Sequence, residues 1–427
     1  MKRAFDFSRP DLVFGVLWSL VLVLNAEIPI SFTVDADPTV QHMVIFNIVS
    51  FFVIYQVVKL LAPRRQPGTH VDAVQEGSWD ATVLSRFLKL LLILWGSIYP
   101  VSILYSGGPP FLWVLHGSDK SYGDFGVPTF TGLLNMIRAF VLSGYVLLYL
   151  QTKRRRYLLV PLFLIFTALL EISRGAILVL LSQALGIVML RRNVSLKMLA
   201  RLAVMGVILV VAFGVIGDFR GTPVDEESLA GEQEWLGDAP PGVLIGFAYV
   251  VSPLNNLYYG AESLQPSYTP YFTFATLLPT ILRSVLFPDI GQGVYPIDIK
   301  NEAFNATTFY SPLASDFGWY GAGAVACLLQ FICAYVHVRA KRGSLYFTLI
   351  YPPLYMSVVL SVFYMYFFSL VTVCYPLLGA LYLRYRNARL ARRESLGESG
   401  SLPPESQPQP GTVYEAPAGA ELLPGAV

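Results

Sequence analysis

From Tyr346 to Leu383 the chain contains no Asp, Glu, Lys, Arg or His. A helix crosses the hydrocarbon core of a bilayer, roughly 30 Å, in about 20 residues, so this stretch is too long for one crossing and too apolar for water. It predicts two membrane helices, near 345–362 and 365–383, joined by a tight hairpin at Ser361–Tyr364. Further runs of the same kind lie near 12–30, 42–62, 87–106, 132–150, 157–172, 175–190, 202–217 and 321–338. The expected fold is therefore an all-α integral membrane protein with about ten transmembrane helices. With 55% of the residues hydrophobic and only 14% charged, an ordinary soluble domain is excluded. Met1-Lys2-Arg3 ahead of the run from Leu12 has the form of a signal peptide, but no small-residue cleavage site precedes Ala26, so a retained first helix is expected.

Orientation follows from the basic residues, because short loops rich in Lys and Arg stay on the cytoplasmic side. Alternate connections carry them: Arg64-Arg65, Lys153 to Arg156, Arg191-Arg192, Arg339 with Lys341-Arg342, and Arg384 to Arg393. Together with the N-terminus and the adjoining helix ends, this places 24 of the 30 basic residues inside. Both termini are then cytoplasmic. Residues 217–320, between the seventh and eighth helices, form a large loop on the other side with twelve acidic and three basic residues. Within it, Tyr271 to Leu286 is apolar enough to lie on the membrane surface or pack over the bundle. Residues 394–427, dominated by Pro, Gly, Ser and Glu, read as a disordered tail after one transmembrane domain, 1–393. A net charge of +2 gives no reason to expect nucleic acid.

An arginine within the membrane is costly, about 2.5–3.5 kcal/mol at a helix centre, and is kept where a partner or a function offsets that cost. Arg174 stands in the outer turn Glu171-Ile172-Ser173-Arg174-Gly175, Arg220 where the seventh helix leaves the membrane, and Arg138 about one and a half turns inside the fourth. Each is open to two readings: an interfacial anchor or intramembrane ion pair, such as Arg138 with Glu171, or a member of an anion site. Guanidinium groups clustered at one level suit a pyrophosphate, since the planar fork binds phosphate oxygens bidentately. A second constellation is NEAFNATTFYSPLASDFGWYGAG, from Asn301 to Gly323. Asn305 and Thr308 offer hydrogen-bonding groups, Tyr310 a flat face for a sugar ring, and Asp316 a carboxylate that could serve as a base or simply cap the eighth helix. The four histidines are scattered and Cys327, Cys333 and Cys374 lack ligand spacing, so neither a metal nor another cofactor is expected.

These same residues carry a resemblance. The Ser-Arg-Gly turn, the Arg-Gly opening the large loop, and the run Asn-x-x-x-Asn-Ala-Thr-Thr-Phe followed by Asp-Phe-Gly-x-x-Gly resemble the bacterial oligosaccharide repeat-unit polymerases, or O-antigen polymerases, over roughly Leu158 to Ala380. The resemblance implies a GT-C-like polymerase or ligase architecture in the bacterial inner membrane. It also implies a glycosyltransferase moving a glycan from undecaprenyl pyrophosphate to the terminal sugar of a new lipid-linked repeat unit. Membrane lipids and a chain-length regulator protein are the further partners it suggests. Arg174 and Arg220, with Arg138, would grip the pyrophosphate; Asn305, Thr308 and Tyr310 would bind sugar; Asp316, with Glu171 as alternative, would accept the proton. Transfer would be inverting and metal-independent. Rival readings are an O-antigen ligase, which usually places a histidine in this loop where this chain has none, and a transporter of lipid-linked sugars.

Overall fold

A computed structural model describes residues 6–62, 81–192, 241–290, 295–300 and 304–395, apart from positions 29, 32, 119 and 121, and scattered positions between 195 and 208. Among the described residues every regular element is helical: α1 (Pro10–Glu27), α2 (Pro38–Leu61), α3 (Ala81–Ser106), α4 (Pro110–Leu115), α5 (Phe130–Thr152), α6 (Leu159–Leu170), α7 (Arg174–Arg191), α8 (Pro241–Ser263), α9 (Tyr271–Ala275), α10 (Thr280–Leu286), α11 (Tyr310–Lys341), α12 (Leu345–Val359) and α13 (Leu370–Ser395). Local chemistry sets several starts. Pro10 and Pro38 occupy first turns, where a missing N–H costs nothing. The Asp37 carboxylate accepts from the Val40 N–H at 2.9 Å and the Ser173 hydroxyl from the Ala176 N–H at 3.2 Å, each capping its helix.

Among the described residues six helical segments are long and apolar enough to cross a membrane: 10–27, 38–61, 81–115, 130–152, 174–191 and 310–341. The chain is thus an all-α membrane protein, with fewer such helices among the described residues than the ten apolar runs predict. The shortfall has physical causes. α6, with 12 residues, reaches only about 18 Å, and α12, with 15, about 22 Å. α13 continues beyond its apolar half through the basic stretch to Ser395. The run at 202–217 lies mostly outside the described residues, as do most of the tail and Arg220.

The helices pack as two clusters that share α12. In one, α1, α2, α8 and α11 surround Trp18, Phe14, Phe51 and Phe309. In the other, α3, α5, α6, α7 and α13 enclose Leu88, Phe140, Leu142 and Tyr375. α5 is the axis of the second cluster, buried at every position from Met136 to Leu148. Its contact with α3 depends on Gly144, where a Cβ would come within 2.6 Å of the Leu88 side chain. Outward positions such as Leu60, Ile93, Leu104 and Leu162 are exposed, as lipid-facing side chains should be.

The segment before the last three helices departs from expectation. The eighth helix, expected from residue 321, begins at Tyr310 and is broken at Gly318, whose backbone adopts φ 68°, ψ 174°. Only glycine takes such angles readily, so the chain forms a buried helical turn over 310–317, then breaks, then crosses. In the described part of the large loop α8 packs against α1 and α2, and Tyr271–Leu286 forms two short helices, α9 packed on α11 and α10 with its apolar side chains exposed.

Candidate functional site

Arg174 is placed by its turn. The Ser173 cap makes it the first residue of α7, and its guanidinium carbon lies 5.0 Å above the Tyr249 ring of α8. Among the described residues its Nε finds no hydrogen-bond partner. It faces a cavity of about 800 Å³ whose walls also include Arg283 of α10, Asn305, Tyr295, Phe363 and Tyr366. Most of the remaining lining is aliphatic or aromatic, and among the described residues no carboxylate takes part. Two cations, a few hydroxyl and amide groups and otherwise apolar walls make a chamber for an anion that carries a large apolar or ring-shaped appendage.

The walls are held by groups buried elsewhere. Asn256 of α8 is fully buried and donates from Nδ2 to the carbonyls of Phe304 at 2.7 Å and Ala306 at 2.9 Å. Its Oδ1 accepts from the Lys300 N–H at 3.1 Å. That arrangement fixes the strand of chain that presents Asn305, whose own Nδ2 donates to the Tyr295 hydroxyl at 3.0 Å. Opposite, the Thr276 hydroxyl reaches the Phe368 carbonyl at 3.2 Å, joining α9 to the α12–α13 turn. That turn, Leu360–Ser369, falls where the sequence placed the hairpin, and Trp18 donates to the Ser361 hydroxyl at 2.9 Å.

The other residues singled out in the sequence go elsewhere. Arg138 and Glu171 form a buried bidentate ion pair, Nη1 to Oε1 at 2.7 Å and Nη2 to Oε2 at 3.1 Å, and Nη2 also donates to Asn135 at 2.6 Å. Neither lines the cavity, so Glu171 answers Arg138 on α5 rather than Arg174 in its own turn. Asp316 is fully buried in the turn ahead of Gly318 and accepts from the backbone N–H groups of Phe272 at 2.9 Å and Thr273 at 2.7 Å. It caps α9, not the helix it belongs to. Tyr310 is enclosed, with ring centroids 5.2 Å from Trp18 and 4.0 Å from Phe309, and Thr308 is equally buried. Neither presents a face to the cavity. Of the eight residues picked from the sequence, Arg174 and Asn305 meet there, and Arg220 lies outside the described residues.

Sequence reasoning overlooked Arg283, Tyr249, Tyr295 and Asn256. The pair Asn255-Asn256 within the apolar helix α8 was the available signal, since buried amides persist only where backbone groups need them. Comparison of the chain with family models, with curated proteins and with solved structures finds no match.

Proposed function

We propose that this chain is a membrane glycosyltransferase that extends a lipid-linked glycan, taking the growing chain from undecaprenyl pyrophosphate and joining it to a fresh lipid-linked repeat unit. The observation that supports the reading is the cavity in which Arg174 and Arg283 meet apolar walls with no carboxylate among the described lining. A pyrophosphate leaving group gains negative charge in the transition state, and preorganised guanidinium groups stabilise that charge electrostatically. Asn305 and Tyr295 supply neutral groups for sugar hydroxyls. Asp316 and Glu171, each bonded within the protein, hold the fold in this reading rather than act as the base.

The same reading takes the chain to cross the bacterial inner membrane about ten times in a GT-C-like arrangement with both termini cytoplasmic, the shorter helices included. The basic residues between α5 and α6 and after α11 favour it, because they fall at the end of the helices opposite Arg174. With the two guanidinium groups answering the leaving group's charge, this reading makes transfer metal-independent, and turnover should survive a chelator. An O-antigen ligase remains the second reading, since it shares the donor.

The test combines a deletion strain with purified protein. Loss of a polymerase leaves surface glycan of a single repeat, whereas loss of a ligase leaves none. In the purified system, Arg174→Ala and Arg283→Ala should each weaken use of the undecaprenyl-pyrophosphate donor by about tenfold or more, the worth of a charge-assisted hydrogen bond. Wild-type chain length in both variants at normal protein abundance would refute the assignment.

A further inference from the structure

A second concavity, about 510 Å³, lies at the other end of α6 from Arg174, lined by Ala81, Thr82, Ser85, Arg86 and Lys89 of α3, by Thr152 at the end of α5, and by Arg154, Arg156 and Tyr157 just after it. The 12 residues of α6 separate the two sites by about 18 Å. Four cations converge here, and among the described residues no carboxylate lines the space. A loop that is basic merely to set topology needs charge on the right side, not convergence on one hollow. Other cations at this end of the bundle are differently disposed: Arg9 pairs with Asp11, Lys341 pairs with Asp6, and Arg191 donates to the Thr348 hydroxyl. Arg86, Lys89, Arg154 and Arg156 have no acidic partner among the described residues.

A further feature points to an anion. Burial pushes the Tyr157 phenol up, yet the neighbouring Arg156 and Ser85 side chains and the charge of Arg154 outweigh it and hold the phenol below the ordinary tyrosine range. That hydroxyl, with that of Ser85, gives the hollow uncharged hydrogen-bonding groups beside its cations. Directly along the helices follow exposed apolar side chains: Leu90, Ile93 and Leu94 on α3, Leu159, Leu162 and Phe163 on α6. The two faces adjoin, since Trp95 of α3 meets Phe163 edge-on at 6.1 Å.

We propose that this hollow is a phosphate-binding site, separate from the candidate donor cavity, that takes the headgroup of an anionic phospholipid whose acyl chains lie along α3 and α6. The same chemistry would accept a soluble phosphate compound, and the experiment distinguishes the two sources. Purified full-length protein is placed in nanodiscs with cardiolipin or with phosphatidylcholine alone, and retained lipid is counted by native mass spectrometry. In parallel, lipid-stripped protein in detergent, carrying Arg174→Ala/Arg283→Ala so that the donor cavity offers no cation, is titrated with inorganic pyrophosphate. Arg86→Gln/Arg156→Gln should lower cardiolipin retention by about twenty-five-fold, each cation that converges on the headgroup being worth about fivefold. Lys153→Gln/Arg155→Gln removes two charges from the same loop but none from the hollow, and should retain cardiolipin as wild type does. Lys89→Gln/Arg154→Gln provides a second pair if the first fails to fold. Saturable pyrophosphate binding that only the hollow variants lose, without selective lipid retention, supports the site and assigns it to a soluble ligand. Equal losses in the control pair, or no saturable binding in either arm, would overturn the proposal.

Discussion

Replacing Glu171 by Gln should damage this protein more than any other conservative change described here. Arg138 is 2% exposed, and its guanidinium places two hydrogen bonds on the Glu171 carboxylate at 2.7 and 3.1 Å. The amide keeps the shape of the carboxylate but offers one neutral acceptor in place of two charged ones, leaving Arg138 charged in an apolar interior with only amide oxygens, its own and that of Asn135, to answer it. Removing one partner of a buried ion pair costs about 3–5 kcal/mol, whereas an ordinary interhelical hydrogen bond in a membrane protein is worth only about 0.6 kcal/mol. The two magnitudes separate the explanations. Arg138→Met should cost less than Glu171→Gln, because it strands a carboxylate near the outer turn rather than a guanidinium in the core. The double change Arg138→Met/Glu171→Leu, which removes both charges, should return stability to within about 1 kcal/mol of wild type. Reversible unfolding in mixed SDS micelles, followed by circular dichroism, measures all three. If Glu171→Gln loses no more than about 0.6 kcal/mol, or if the double variant is worse than both singles, the pair is not the strut inferred here. Turnover adds a second readout: the double variant should stay active, because neither residue lines the cavity.

The remaining expectations are simpler. Arg174→Lys should impair donor use nearly as much as Arg174→Ala, since the ammonium keeps the charge but loses the planar fork; steady-state kinetics against donor concentration decides. Asp316→Asn leaves one acceptor for the two backbone N–H groups of α9, so it should cost about 1–2 kcal/mol of stability while leaving residual turnover, and a fully stable but inactive variant would restore Asp316 as the base. Burial raises the Asp6 carboxyl, but the Ser8 hydrogen bond and Lys341 outweigh it and hold it below the ordinary range. Its stabilisation is therefore present above the unfolded value and lost as pH falls through the lower folded one, and Asp6→Asn should flatten the pH dependence below about pH 4. Reporter fusions after Arg156, Arg342 and Arg393 should read cytoplasmic, and one at Glu234 periplasmic.

What the sequence reveals is local. Apolar runs announce helices because each residue contributes to the transfer energy on its own, and the Arg138–Glu171 pair could be suspected because an intramembrane charge requires an answer. The α12–α13 turn was legible for a similar reason, as no bilayer accommodates so long a run in one pass. The site was less so. Asp316 looked like a helix cap for its own helix, but the donors it accepts lie 43 and 44 residues earlier in the chain, a pairing that only the tertiary fold creates. The helix start at Tyr310 was hidden by Gly318, which reads as a boundary yet acts as a kink between two helical pieces. Tyr310 and Thr308 have the composition of a sugar site and the location of a core. Arg283 sits in the short helix α10, and nothing near it in sequence connects it with Arg174, although both face the same cavity.

The buried pair also bears on how the protein enters its membrane. Arg138 is synthesised 33 residues before the carboxylate that neutralises it. At about 5–20 residues per second the delay lasts roughly 2–7 s, during which α5 carries an unanswered cation that lipid would reject. Released alone, α5 would carry a cost of about 2.5–3.5 kcal/mol until the turn bearing Glu171 arrives, so the contact favours release of α5 and α6 as a pair, and Glu171→Gln should lower the membrane insertion of α5 as well as the stability of the finished fold.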